Sequence, residues 1–422
     1  MPRALVVRTL RPGVLRLGRS SLLLIGLAVA CGSSGRSTRL SPGGDATAVL
    51  EQALASAGGG TLTIAGSETF VVRGVRVEKA NTTLECTGNP AATFQLAPVG
   101  AGDGAPIFDV KADGFTIRNC ILDGNRAAQP AGGFSDSFQG RVFRAAVKVS
   151  GRRQGLTIEK VTFRNAYGAA VATHGVSGIT VKDSTFQDGN FEAVFADNAF
   201  TLGDSENFLE GFTFTGNKVL NSASGDGRVN ANGLMVHQMK KITIEDNEWA
   251  GYERNAIKLE NCRDGTIARN VIRDGALHNF AGITMQNGGR GLTLADNELT
   301  NVGSGIDASL VAGGQYPPDE LVGVTIRGNK VRGVADGELA DGIRIFGFGP
   351  TTSDLTIAGN TIEGAPGHGI QVKQFRTFHA DPVFARITIE DNRLTSSGAC
   401  ARWFAGSEVQ PADVTDSGNT CD

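Results

Sequence analysis

The chain has 422 residues, 40 basic and 43 acidic, with 58 glycines, six cysteines and only 6% aromatic side chains. That balance excludes the strongly basic surface of a nucleic-acid binder. The few histidines lack the spacing of zinc ligands, and the glycines fall in turns rather than in a phosphate-cradling loop.

Residues 1–30 carry five arginines and no acid, then an apolar run from Leu22 to Ala30. The run is too short to cross a bilayer and reads as the core of a signal peptide. It leads through Leu27-Ala28-Val29-Ala30 into Cys31-Gly32. This segment resembles a bacterial lipoprotein signal, although Ala28 stands where that family usually has leucine. The resemblance implies removal of residues 1–30, lipidation of Cys31 and export to the bacterial cell envelope. The lipid alone would hold the chain to a membrane, the outer membrane being one candidate. The bland alternative is an ordinary secretory signal. Residues 31–44 read as a flexible tether and residues 45–422 as a single domain. Loss of the leader leaves 35 basic residues against 43 acidic, a net charge of −8.

A helix is expected over residues 45–57. Asp45 can cap it, Val49, Leu50, Ala53, Leu54 and Ala57 form one apolar stripe, and Gly58-Gly59-Gly60 stops it. Short strands follow at 61–64, 70–72, 75–77 and 82–86. From there one phrase recurs with different outward letters. Asn255-Ala256-Ile257-Lys258-Leu259-Glu260 has relatives at Asn232-Gly233-Leu234, Ala281-Gly282-Ile283, Ser304-Gly305-Ile306, Asp341-Gly342-Ile343 and His368-Gly369-Ile370. Two aliphatics lie two apart, the period of a strand with one buried face. A second strand follows each phrase and ends in asparagine: Asn217, Asn247, Asn270, Asn297, Asn329, Asn360 and Asn392, spaced by 23 to 32 residues. Repeats of this length built from strands predict an all-β solenoid, a parallel β-helix whose open end the helix caps. Asparagines stacked at one turn can bond the coils above and below and satisfy backbone groups there. Loops of uneven length, such as 200–210 and 311–321, would rim one face.

Cys86 and Cys120 end comparable strands of successive coils and can bridge. Cys400 and Cys421 bracket the last coil and can close it, which leaves Cys262 buried.

In each phrase the residue between the two aliphatics and the one after them point outward, giving two columns. The first reads Lys148, Val171, Phe195, Met235, Lys258, Thr284, Asp307, Arg344 and Gln371. The second reads Ser150, Thr173, Asp197, His237, Glu260, Gln286, Ser309, Phe346 and Lys373. The plain reading is a solvated polar face. The sharper one is a groove for an acidic polysaccharide. Arg344 and Lys373 can pair with uronate carboxylates, Gln286 can bond hydroxyls, and Phe195, Phe346, Phe375, Phe378 and Trp403 can stack on sugar rings.

With the repeat, the capping helix and this groove, the chain resembles the right-handed parallel β-helix proteins of the pectate-lyase-like superfamily over residues 45–422. The fold hosts lyases, hydrolases, epimerases and non-catalytic proteins. Gly367-His368-Gly369 matches a polygalacturonase motif, but that family's other motifs are absent, and His368 is read as a turn residue beside Asp341. The Asp-Pro-His signature of the epimerases is absent too. The leading expectation is β-elimination with His237 or Lys258 as base and Arg344 and Lys373 as cations facing the enolate. One alternative is hydrolysis by carboxylates two coils, or about 9.6 Å, apart: Asp197 with Glu260, or Glu260 with Asp307. Another is a non-catalytic surface lipoprotein. No cofactor is required, calcium being the one ion the related lyases use, and the chain is expected to act as a monomer.

Overall fold

The computed structural model describes residues 7–10, 44–100, 103–130, 140, 142–198, 208–221, 232–275, 280–309, 320–336, 340–395, 397–398 and 403–422. Cys31 and Cys400 lie outside the described residues. Of residues 1–30 only Val7–Leu10 is described, a strand antiparallel to Thr61–Ile64. Two compact units divide the chain, Met1–Asn190 and Phe191–Asp422.

In the first unit a helix spans Thr47–Ala57 and buries Leu50, Ala53 and Leu54. It starts two residues later than expected because Asp45 sits outside it, where its Oδ1 accepts the Thr47 N–H at 2.9 Å. Three short strands then make one coil, each pairing in parallel with its counterpart in the next. Thr61–Ile64 pairs with Thr83–Cys86, Thr69–Val72 with Thr93–Leu96, and Val75–Val77 with Phe108–Val110. The repeat therefore has three strands where the sequence showed two. Alternate residues turn inward, and Phe70, Phe94, Phe108 and Phe115 are fully buried with their rings in successive contact. Each such side chain contributes about 1.5–3 kcal/mol by leaving water. A disulfide joins Cys86 to Cys120 across adjacent coils.

One register differs from expectation. Lys148 pairs with Ala172 and Ser150 with His174, so Val171 and Thr173 point inward. The buried Thr173, exposed by 1%, breaks the aliphatic alternation that assigned the faces.

In the second unit the repeated phrases form one parallel stack: Val194–Asp197, Leu234–His237, Ile257–Ala268, Ala281–Ala295, Ser304–Ser309, Ile343–Gly347 and Ile370–Gln374. Glycine recurs before these strands because the coils approach closely. A β-carbon on Gly342 would meet Ile362 and the Gly369 carbonyl. The asparagines stack as expected. The Oδ1 of Asn270 accepts both the backbone N–H and the Nδ2 of Asn247, whose Nδ2 also donates to the Phe214 carbonyl. This unit repeats through Asn297, Asn329, Asn360 and Asn392, and ends at Asn419, a member the sequence reading missed. Cys421 is disulfide-bonded and Cys262 is a buried free thiol. Parallel coils of three strands, stacked in register, make each unit a β-helix.

Candidate functional site

The register of the second unit places the outward residues side by side as the phrases imply. Met235, Lys258, Thr284, Asp307, Arg344 and Gln371 follow one another in the first column. His237, Glu260, Gln286 and Ser309 follow in the second, and Phe346 pairs with Lys373.

These side chains bond one another. His237 Nδ1 lies 2.7 Å from Asp197 Oδ1. Lys258 Nζ is 3.3 Å from Glu260 Oε2, and Asn287 Nδ2 donates to Glu260 Oε1 at 2.8 Å. Arg344 Nε donates to Asp307 Oδ1 at 2.6 Å, while Ser309 Oγ donates to Asp307 Oδ2 at 2.7 Å. The guanidinium of Arg344 and the ammonium of Lys373 both lie over the Phe346 ring, 4.9 and 5.1 Å from its centre. Two cations thus pair with carboxylates, Lys258 with Glu260 on its own strand and Arg344 with Asp307 of the preceding coil, and the His237 ring contacts Asp197.

The outward residues are far less exposed than a solvated groove requires. Asp197, His237, Glu260, Gln286, Asp307, Arg344 and Gln371 are all buried, and so are Phe195 and Trp403. Trp403 instead donates its indole N–H to Asp416, which removes it from the sugar-stacking set. Access is greatest at Lys258, Ser309, Phe346 and Lys373, which are half-buried. Phe346, Phe348 and Phe375 form an aromatic cluster beside them, and Phe378 is exposed.

A third column went unnoticed in the sequence, although its letters open every phrase. Asn232 Nδ2 donates to Glu192 Oε1 at 3.3 Å and Asn255 Nδ2 to Asn232 Oδ1 at 2.9 Å. At its other end, Asp341 Oδ1 accepts the backbone N–H of His368 and contacts His368 Nδ1 at 3.0 Å, with Gln371 Nε2 3.1 Å from His368 Nε2. The equivalence of Asp341 and His368 before Gly342 and Gly369 was the available signal. Among the described residues no three His, Cys, Asp or Glu side chains gather as a metal-holding group.

A family model described as a right handed beta helix region matches residues 113–315. The structure is similar to the periplasmic alginate epimerase AlgG, with a TM-score of 0.54, 12% identity, and 85% of this chain and 78% of that one covered. It is also similar to PfbA, a surface adhesin of Streptococcus pneumoniae, with a TM-score of 0.49, 13% identity and 85% and 88% covered. An exopolygalacturonase of Thermotoga maritima gives a TM-score of 0.46, 12% identity and 90% and 89% covered. No curated protein matches in sequence. At such identities the likeness establishes the fold, a right-handed parallel β-helix, and leaves the reaction to the site.

Proposed function

We propose that this is an exported protein whose second unit binds an acidic polysaccharide along the outward columns and cleaves it by β-elimination. The observation that carries the reading is the register-locked series of His237, Lys258 and Arg344, each beside its own carboxylate. Elimination next to a uronate needs a base for the proton beside the carboxyl group, and a cation where negative charge builds up. His237 is the better base. Asp197 engages its Nδ1, which orients the ring. Lys258, one coil on, is an ammonium paired with Glu260 and serves as the cation facing the enolate. Arg344 and Lys373 stand further along the stack and hold carboxylates of neighbouring sugars, coils being about 4.8 Å apart. The periplasmic alginate epimerase supports an acidic polymer as ligand, since removal of the same proton would also open an epimerisation.

Hydrolysis is the second reading. It needs a carboxyl that carries a proton, whereas Glu260 and Asp307 are engaged by cations and amides and Asp197 by the His237 ring. The test is to incubate the purified protein with a set of charged polysaccharides and follow ultraviolet absorbance of unsaturated ends together with reducing ends. Elimination predicts both signals, and a fall on the order of a hundredfold in His237→Ala. Reducing ends without absorbance would establish hydrolysis, and neither signal from any polymer would leave a binding protein.

A further inference from the structure

The three cations of the outward columns are not equivalent. Lys258 is paired with Glu260, and Arg344 donates to Asp307, whose other oxygen accepts from Ser309. At both places an arriving anion meets a resident carboxylate, which repels it and competes for the same donors. Lys373 stands apart. Among the described residues no carboxylate pairs with it. Its ammonium rests over the Phe346 ring, 5.1 Å from the centre, and a β-carbon on Gly406 would come within 3.3 Å of it. A ring face and a glycine thus hold the charge in place without neutralising it. The residue is half-buried, and a lysine so placed keeps its charged head toward water. Phe375, edge-on to Phe346 and stacked on Phe348, adds apolar surface at this end of the columns. Five strand pairings lead from the strand of His237 to that of Lys373, which puts Lys373 about 24 Å along the stack.

We infer that Lys373 is a distal carboxylate anchor and that the site thereby selects its substrate by length. The inference rests on the polysaccharide reading with His237 as base, and it names what holds the chain far from the reacting bond. An extended pyranoside chain advances by about one strand spacing per sugar, so about six sugars are needed to set one uronate at His237 and another at Lys373. A shorter chain that reaches the base leaves the anchor empty. Binding at the anchor therefore helps only a long chain to stay in place while its proton is removed. The rings of Phe346 and Phe375 give the sugar that reaches Lys373 an apolar surface for its C–H groups.

The experiment measures kcat/KM, by the ultraviolet absorbance of unsaturated ends, on galacturonate, guluronate and mannuronate oligosaccharides of increasing length. The wild type, Lys373→Gln, Lys373→Arg and Phe346→Leu are compared. In the wild type, kcat/KM on the preferred series should rise about tenfold between four and eight sugars, the worth of one charge-assisted contact. Lys373→Gln should abolish that rise and Lys373→Arg should keep it. Phe346→Leu, which takes away the ring beneath the ammonium, should reduce it. Added salt should flatten the rise in the wild type as the substitution does. If the wild type cleaves short and long chains alike, or if folded Lys373→Gln keeps the full rise, the anchor is wrong and the polysaccharide reading stands. If the wild type cleaves no oligosaccharide of any length, the elimination reading falls and the anchor with it.

Discussion

His237 and Asp197 are exposed by only 3% and 5%, yet they sit on the outward side of their strands. A histidine in contact with a carboxylate at that depth gains from its partner a hydrogen bond that water does not replace. Asp197→Ala should therefore cost about 1–3 kcal/mol of stability, the loss of a buried hydrogen bond. From the sequence, alanine at the outward His237, Lys258 or Glu260 would have been expected to cost well under about 1 kcal/mol, as a surface change does. Lys373→Ala, at a half-buried position, should stay within about 1 kcal/mol. Urea melts of the two variants check the contrast, and equal midpoints would mean that the pair is not buried in solution. Cys262 gives a second test. Burial pushes its thiol up to about 12, so almost no thiolate exists at pH 8. A thiol reagent should leave Cys262 unmodified in the folded protein and label it only after unfolding. Rapid labelling of the native state would contradict that burial.

At the scale of the element, the asparagine ladder carries the sharpest test. Replacement of Asn297 by leucine removes the acceptor for the N–H and Nδ2 of Asn270 and the donor to the Ile267 carbonyl. With the Asn329 Oδ1 that also accepts from its Nδ2, four buried groups lose a partner, so the loss should exceed about 3 kcal/mol. Asn419→Leu, at the part-buried end, should cost clearly less. Thermal melts of the two decide the matter, and equal costs would count against the ladder as a source of stability. The ladder was legible because a side chain of fixed type at a fixed turn is a local signal that does not depend on the loops between. The same holds for the aliphatic pairs, which gave the correct neighbours from Leu234 to Lys373. The period of two failed at Val171 because Thr173 occupies an inward place. It was silent about exposure, since whether an outward side chain meets water depends on aperiodic segments. Asn287, the partner of Glu260, follows the phrase within the strand Ala281–Ala295, has positive φ and had no periodic signature.

At the scale of the molecule, each unit is a stack in which a coil touches chiefly its neighbours, so a change in the tether at Cys31 should leave the coils as they are. The lipoprotein reading places the anchor at Cys31. Cys31→Ser should move the protein from the membrane to the soluble fraction and leave the melting temperature unchanged, as read by fractionation and thermal melts. A soluble wild type that begins at another residue would remove the lipid from the account.

The asparagine ladder also has a direction. From Asn217 to Asn392 every Nδ2 donates toward the following coil, and the last, on Asn419, donates to Asp416 Oδ1 at 2.7 Å. Amide dipoles aligned in this way add as peptide dipoles add in a helix, with the positive pole at the C-terminal coil. Asp416, fixed by Trp403, supplies the countercharge at that pole. Each bond polarises the next, so the column is stronger complete than in pieces. The solenoid thus has an electrical polarity along its length, and its last coil differs from the others in carrying the acid that terminates the series.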